Sequence, residues 1–230
     1  MNPYNTDRFI GENPALLVID PQRDFVHPDG EIYCGHASEG VDPDGLADRI
    51  NDLVATGRES DIPIIWSKER HRPDGADRGT ELMWDNATHT TCGTWGEEFI
   101  DDLDVNVDDL EPAEYTVDKR RYNLFHGTDL GHLLRVYDID TVVLTGVTTS
   151  VCVHYTAQGA LERDYVFRTV EECTADETPE LHQAGLRCQD HLQPNGVVAL
   201  EAIRDEFVEY EGNPTVAEVK SESMVSVSSD

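Results

Sequence analysis

Six short segments of the chain carry the apolar, β-branched pattern of strands, and polar or amphipathic stretches separate them. A short continuous apolar run is typical of a strand that is buried on both faces of a parallel sheet. The six predicted strands are ALLVID (15–20), IPIIWS (62–67), EYTVDK (114–119), TVVLTGV (141–147), VFRTVEE (166–172) and VVAL (197–200).

Apolar residues at helical spacing lie between these strands. Between positions 43 and 61 they recur three and four residues apart, which predicts a helix with one buried face. The polar stretch 68–106 has no sustained period, and we predict a long excursion with one short helix near 95–103. Three further helices are predicted: one around Leu130, Leu133, Leu134 and Tyr137, one over 151–164 with Ser150 as its N-cap, and one over 179–192.

Strands that alternate with helices favour a parallel sheet, because parallel neighbours need a crossover connection. We therefore predict an α/β fold of three layers, α/β/α and doubly wound, around a mainly parallel six-stranded sheet. Residues 1–211 are expected to form a single domain. Residues 212–230 are polar and lack a core pattern, so we expect a flexible C-terminal tail or an arm on a neighbouring subunit.

The charge balance changes the expected environment and partners. The chain has 47 acidic and 17 basic residues, a formal net charge of -30, and only three lysines (Lys68, Lys119 and Lys220). Nucleic acid and anionic membranes bind basic surfaces, so neither is expected as a partner. An acidic, lysine-poor surface suits a cytoplasm with molar salt, where the Debye length falls to about 3 Å. We interpret the chain as a halophile's protein; an ordinary acidic protein is the alternative.

Cysteine usage and the first residues bear on location. The five cysteines predict neither a disulfide framework nor a zinc site, because their number is odd and none are at CxxC spacing. The start, MNPYNTDRFIGENP, lacks the basic and apolar regions of a secretory signal, and no window of about 18 apolar residues predicts a membrane span. A reducing, cytoplasmic location is therefore expected.

Three reactive side chains fall where a doubly wound fold binds ligands, at the C-terminal ends of strands. Asp20 and Lys119 end predicted strands, and Cys152 begins the helix after TVVLTGV. Free N–H groups and the dipole of a first helical turn favour a thiolate, so Cys152 is a candidate nucleophile. A carboxylate between a thiol and an ammonium can accept the thiol proton and return it to a leaving amine. Asp20 is therefore the candidate base and Lys119 the electrostatic support.

Each of these residues also has an ordinary structural explanation. Asp20 can cap a turn, Lys119 can be a solvated strand end, and Cys152 can be a small buried apolar side chain. His154 is a poorer base than Asp20, because two residues along a helix it points off another face. The functional hypothesis therefore depends on all three side chains meeting at one edge of the sheet.

Three segments together resemble the isochorismatase-like family of cysteine hydrolases. They are VIDPQRDFVHPDG (18–30), VDKRRYNLFHGTDL (117–130) and LTGVTTSVCVHYTAQGALERDY (144–165), and the likeness covers residues 14–207. The third segment is the most specific, because it joins an apolar strand, a Gly-Val-Thr-Thr turn, the cysteine and an apolar helix at the spacing of that family. The resemblance implies the fold predicted above and an amidohydrolase activity.

The resemblance also implies roles for single positions. Asp20 would be the base, Lys119 the orienting and stabilising group, and Cys152 the residue that forms a thioester. A cis peptide bond is implied between Val147 and Thr148, with the backbone N–H groups of Thr148 and Cys152 as the oxyanion hole. The implied reaction is attack on a carboxamide or carbamoyl carbonyl, loss of ammonia or an amine, and hydrolysis of the thioester.

Metal binding is the feature in which this chain departs from part of the family. Nicotinamidases of the family bind a divalent ion through an Asp-x-His pair and further histidines. Here Glu69, Arg70 and His71 stand at that pair, His89 matches one later ligand, and an intervening histidine is missing. The resemblance therefore favours a hydrolase with no metal and no cofactor, in which His71 and His89 shape the loop over the pocket.

The predicted function is hydrolysis of a small amide or carbamoyl compound by a homo-oligomer. Phe25 and Trp95 are the predicted substrate-binding side chains, since both belong to loops that should face the cleft. Three alternatives stay open: a metal-dependent nicotinamidase, a non-catalytic ligand-binding protein on the same fold, and a thiol redox protein. The last normally needs a resolving cysteine, and none lies near Cys152 in the sequence.

The acidic surface generates a prediction about salt. If the surface is adapted to molar salt, the free energy of unfolding should rise with KCl, because cations screen the repulsion between carboxylates. Thermal unfolding followed by circular dichroism should give a clearly higher Tm in molar KCl than in dilute buffer. An equal Tm in both would favour the ordinary acidic protein.

Overall fold

The computed structural model of the chain describes residues 8–80 and 88–227, with side chains up to residue 222 except at position 43. Continuous apolar runs form strands buried along their whole length in β1 and β2. All six predicted strands are confirmed, with ends shifted by a few residues at most. The strands are β1 (Pro14–Ile19), β2 (Ile64–Glu69), β3 (Glu114–Lys119), β4 (Thr141–Val147), β5 (Val166–Ala175) and β6 (Val197–Val198).

The strands form one sheet in the order β3-β2-β1-β4-β5-β6, and every neighbouring pair is parallel. The predicted α/β fold with a six-stranded sheet is therefore confirmed, and the sheet is entirely parallel over the described residues. The chain reverses its direction of progress across the sheet between β1 and β4. In doubly wound folds this switch point is where ligands bind.

Seven α-helices are present in the described part of the chain. Two sequence-based predictions are wrong in detail. The stretch near 95–103 forms only a short 3₁₀ turn, Trp95–Glu97. Ser150 caps no helix, since Thr149–Val153 form a single π-helical turn ahead of the next α-helix. The helices are α1 (Arg23–Val26), α2 (Leu46–Glu59), α3 (Leu130–Val136), α4 (His154–Leu161), α5 (Pro179–Leu192), α6 (Leu200–Val208) and α7 (Pro214–Val227).

The two faces of the sheet bury separate apolar layers. Because side chains alternate along a strand, Leu16 and Val18 of β1 join one layer and Leu17 and Ile19 join the other. Helices α2 and α6 cover the first face, and α3 and α4 cover the second, which gives the predicted three-layer arrangement. The helix side chains in these layers include Ile50, Leu53, Ile203 and Phe207 on the first face and Leu130, Leu134, Ala157 and Ala160 on the second.

The predicted tail, residues 212–230, is not without structure, because most of it is helix α7. Val216 is buried in the second apolar layer, and Lys220 donates to the carbonyl oxygen of Arg58 at 2.9 Å. Part of this segment therefore contacts the core, which its lack of an apolar pattern did not predict, while its flexibility and its role as an arm stay predictions. Residues 1–7 and 228–230, at the ends of the predicted domain and tail, lie outside the described residues. Among the described helices, none has both the length and the apolar content to cross a membrane.

Strands β1 and β4 approach closely where they end. Gly146 has a φ of +99°, and a Cβ at this position would lie 2.0 Å from the carbonyl oxygen of Ile19. Only glycine combines this backbone conformation with so close an approach. Asp20 follows Ile19 directly, and Cys152 follows the end of β4. The glycine contact therefore brings the two candidate residues to the same place.

Candidate active site

Four adjacent parallel strands deliver the candidate residues to one edge of the sheet. Asp20 follows β1 directly, Glu69 and Lys119 are the last residues of β2 and β3, and Cys152 lies in the turn after β4. The register pairs Glu69 with Lys119 across β2 and β3. All four residues are buried, with exposed fractions of 0% for Asp20 and Lys119, 1% for Glu69 and 5% for Cys152.

The ammonium group of Lys119 is the centre of this cluster. Its Nζ lies 2.7 Å from Asp20 Oδ2 and 2.9 Å from Glu69 Oε2, and it donates to Cys152 Sγ at 3.3 Å. The sulfur also lies 3.8 Å from Glu69 Oε2. The structure thus brings together the three residues predicted from the sequence and adds a second carboxylate.

Burial and charge give the two carboxylates different acidities. Burial raises the pKa of Asp20, and the attraction of Lys119 acts against this rise without reversing it. Burial acts in the same direction on Glu69, but Lys119 together with His71 and His89 outweighs it and holds the pKa of Glu69 well below its usual value. Paired carboxyl groups whose pKa values are pushed apart serve different roles, one in proton transfer and one as a fixed charge.

The thiol of Cys152 is less acidic than the sequence predicts. Burial raises its pKa well above the usual value, with Lys119 opposing the rise and Asp20 and Glu69 adding to it. Burial acts to lower the pKa of the Lys119 ammonium, but the surrounding groups Asp20, Cys152 and Glu69 outweigh it and raise this pKa well above its usual value. The expected thiolate at a helix N-terminus is therefore corrected: the resting site holds a neutral thiol beside a protonated lysine, and the thiol needs a base.

The surroundings of Asp20 fix its carboxylate in place. Ser67 Oγ donates to Asp20 Oδ1 at 2.7 Å, and the Asp20 N–H donates back to Ser67 Oγ at 3.2 Å. Asp20 has a φ of +49°, a left-handed conformation that aspartate tolerates better than most residues. Gln22 holds the next strand end, since its Nε2 donates to the carbonyl oxygens of Glu69 and Glu97 at 2.8 Å each.

The turn after β4 carries the candidate nucleophile. The peptide bond between Val147 and Thr148 is cis, as the family resemblance implies. Cys152 lies in the π-helical turn that follows, and π-helical turns are frequent at functional sites. Thr148 is buried, and within the described residues its Oγ1 has no hydrogen-bond partner. The role of the Thr148 and Cys152 N–H groups as an oxyanion hole stays a prediction.

Glu69 Oε1 faces two imidazole rings. It lies 3.1 Å from His71 Nε2 and 3.0 Å from His89 Nε2, and one ligand atom of each residue falls within 4.8 Å of the others. His71 Nδ1 lies 3.5 Å from Asp77 Oδ1, and a carboxylate behind a ligand histidine is common in metal sites. A carboxylate with two imidazoles is a donor set that fits divalent zinc or iron. The sequence predicts an incomplete set, and the structure brings these three members together.

The two predicted substrate-binding residues differ in their position. The ring of Phe25 is buried and lies 5.5 Å from the ring of His89, next to the cluster. Trp95 is 48% exposed and contacts His27, with a centroid distance of 4.9 Å, and Arg23. Phe25 thus lies next to the buried cluster, whereas Trp95 lies at the protein surface, where its described contacts are with His27 and Arg23.

The contact between Glu69 and Lys119 is not predicted from the sequence. The apolar pattern of the second strand ends at Ser67, so the sequence suggests Glu69 only as a position for a metal ligand. In the structure the second strand continues to Glu69, which pairs in register with Lys119, the last residue of β3. The sequence could have indicated Glu69 by the same rule that indicates Asp20 and Lys119, because residues at the C-terminal ends of adjacent parallel strands meet at one edge of the sheet.

Comparison with known proteins agrees with this fold and identifies the family. Residues 14–201 match the isochorismatase domain family. A probable inactive nicotinamidase of Arabidopsis thaliana is 30% identical over 179 residues, covering 76% of this chain and 86% of the relative. The ureidoacrylate amidohydrolase RutB of Methylobacterium radiotolerans is 29% identical over 198 residues, covering 77% of this chain and 74% of the relative.

Solved structures share the fold. An isochorismatase-like hydrolase from Alkaliphilus metalliredigens has a TM-score of 0.68 and 32% identity, covering 85% of this chain and 99% of the other. The N-carbamoylsarcosine amidase from Thermoplasma acidophilum has a TM-score of 0.62 and 28% identity, covering 81% and 95%. The family match spans the whole sheet from β1 to β6 and all four residues of the buried cluster. This chain therefore belongs to the isochorismatase family.

Proposed function

We propose that this chain is a cysteine-dependent amidohydrolase that cleaves the C–N bond of a small carboxamide or carbamoyl compound and releases ammonia or an amine. The main support is the buried contact of Lys119 with Asp20 at 2.7 Å and with Cys152 at 3.3 Å. Acyl transfer to sulfur needs a nucleophile and a base that activates it, and Lys119 contacts both of these groups. Two relatives are named as an amidohydrolase and an amidase, which supports the class of reaction.

Acylation starts from the neutral thiol. Asp20 accepts the Sγ proton while the sulfur of Cys152 attacks the carbonyl carbon, and the π electrons move to the carbonyl oxygen. The N–H groups of Thr148 and Cys152 stabilise this oxyanion. The protonated Asp20 then donates to the leaving nitrogen, the C–N bond breaks, and ammonia or an amine leaves an acyl thioester on Cys152.

Deacylation uses water and the same base. Asp20, ionised again, accepts a proton from water while the water oxygen attacks the thioester carbonyl. The C–S bond breaks, the proton returns to Sγ and the acid product leaves, so one water is consumed for each C–N bond. While Asp20 is protonated, Glu69 is still an ionised partner of Lys119, because its pKa is held low. The lysine therefore keeps its charge and position through both halves of the reaction.

The remaining features of the proposal concern substrate and assembly. The reacting groups are almost completely buried, which favours a small substrate. Phe25 and Trp95 remain the proposed substrate-binding side chains, and assembly with further copies of the chain remains an expectation. A non-catalytic binding protein has less support, because a buried ammonium, two carboxylates and a thiol cost stability that simple binding does not require.

A second candidate, a metal-dependent nicotinamidase, is favoured by one observation. Glu69, His71 and His89 present one ligand atom each within 4.8 Å of one another. These three residues would hold a divalent ion, which when bound would supply Lewis-acid polarisation or orientation of the substrate. The reaction above does not need this group, so metal content separates the two candidates.

Turnover is the first property to measure, since one relative is named as probably inactive. Ammonia release should be assayed in high KCl with nicotinamide, N-carbamoyl amino acids, ureido acids and simple carboxamides. We expect Cys152→Ala to lower the rate on the best substrate by at least about a thousandfold, because no covalent intermediate can form. The matched control is Cys188→Ala, which removes an exposed thiol. Full activity of Cys152→Ala would rule out the thioester mechanism.

The raised pKa of Asp20 predicts the acid side of the pH profile. Asp20 must be ionised to accept the thiol proton, so kcat/KM should fall as the pH drops through a pKa above 3.8, the ordinary value for this side chain. The measurement is the pH dependence of kcat/KM, with circular dichroism at each pH as the control for folding. A rate that stays constant down to the ordinary aspartate pKa would contradict the assignment of Asp20 as the base.

Metal content tests the second candidate. For the metal-free hydrolase we expect ammonia release to survive dialysis against EDTA, because none of its steps uses a metal ion. Mass spectrometric metal analysis of the purified chain should compare wild type, His89→Ala and, as a control, the exposed His126→Ala. One ion per chain that is lost only in His89→Ala, together with nicotinamide hydrolysis, would favour the nicotinamidase.

A further inference from the structure

Helix α5 presents one face to the turn that carries the nucleophile. His182, Gly185 and Gln189 are spaced so that they lie on the same side of the helix, and the two side chains are fully buried. Gln189 Nε2 donates to the carbonyl oxygen of Thr149 at 3.0 Å. A Cβ at Gly185 would lie 2.8 Å from the Cα of Ser150, so glycine is needed for this approach. This face therefore supports the start of the π-helical turn.

His182 is the residue of this face that contacts a side chain of the turn. Its Nδ1 lies 2.7 Å from Thr149 Oγ1, and that hydroxyl donates to the carbonyl oxygen of Ala175 at 3.0 Å. A hydroxyl has only one proton and a carbonyl oxygen only accepts, so Thr149 must accept from His182. The hydrogen-bond network thus assigns a proton to Nδ1, which donates to Thr149.

The other ring nitrogen of His182 reaches a second segment. Its Nε2 lies 2.9 Å from Ser38 Oγ, which also accepts from Gln183 Nε2 at 3.0 Å and contacts Glu171. Ser38 belongs to the segment 27–42, which follows the helix that carries the proposed substrate-binding phenylalanine. A single buried imidazole therefore joins this segment to the turn after β4.

We propose that His182 is a positioning residue for Cys152, acting through Thr149. No described contact joins His182 to Asp20 or Lys119, so its effect must pass through the turn. The contact of Cys152 Sγ with Lys119 at 3.3 Å requires the turn to be held accurately. A displacement of about 1 Å at a reacting group can lower a rate about 100-fold. The inference rests on the proposed function, because that function defines the rate that is lost.

Two substitutions of His182 separate its two contacts. An asparagine amide reaches the position of Nδ1 and can donate to Thr149, whereas a glutamine amide reaches the position of Nε2 and Ser38. We expect His182→Gln to lower kcat about 10- to 100-fold with little change in KM, and His182→Asn to stay within about threefold of wild type. His191→Asn, an exposed histidine on the same helix, is the matched control.

Thr149→Val tests the route of the effect, because it removes the hydroxyl and keeps the branched shape. If His182 acts through Thr149, the double variant His182→Gln/Thr149→Val loses no more activity than the stronger single variant. The rate at which iodoacetamide alkylates Cys152, followed by peptide mass spectrometry, should fall in the same order. This second readout reports on Cys152 without any substrate.

Equal kcat values for His182→Asn and His182→Gln, or losses that add in the double variant, would overturn the proposal, since a purely structural histidine would not distinguish the two amides. The Tm of each variant identifies a loss of folding. If both His182 variants fail to fold, unchanged kcat and alkylation in Thr149→Val would overturn it. A wild-type chain that releases no ammonia would contradict the proposed function instead, and the alkylation rates would still decide the role of His182.

Discussion

A protonated lysine that is removed from water needs negative partners at contact distance, because an unpaired buried charge is far more costly than a buried pair. Lys119 is completely buried and meets this requirement with the carboxylates of Asp20 and Glu69, and it also donates a hydrogen bond to the sulfur of Cys152. Removal of one partner from such a group typically costs about 3–5 kcal/mol. The same requirement ties together the ends of β1, β2 and β3, so the charge cluster and the sheet order depend on each other.

Because two carboxylates surround Lys119, Asp20 can take up a proton while the buried lysine keeps an ionised partner. If Asp20 alone faced Lys119, each protonation of Asp20 would leave the ammonium without an ionised partner. Glu69 prevents this, since Lys119 and two imidazoles keep its pKa low. The neutral thiol and the raised pKa of Asp20 belong to the same arrangement, because both follow from burial. This arrangement supports the proposed proton transfer between the sulfur of Cys152 and the carboxylate of Asp20.

Packing as well as charge holds the candidate nucleophile, Cys152. Gly146 lets β4 approach β1, and Gly185 lets helix α5 approach the turn at Ser150. Between these two contacts the chain forms a cis peptide bond and one π-helical turn, with Thr149 bonded to His182. Strand ends therefore place Asp20 and Lys119, while contacts with helix α5 support the turn that carries Cys152.

The sequence by itself determined the six strands, the parallel α/β fold and the candidates Asp20, Lys119 and Cys152, because apolar runs and strand ends are local signals. It did not determine the contact of Glu69 with Lys119, since that depends on the register between β2 and β3. Helix α7 was missed for a similar reason, because its anchors Val216 and Lys220 contact residues that lie far away in the chain. The acidity of the thiol was also decided by tertiary structure, because burial by the whole fold outweighs the local helix dipole that the sequence suggests.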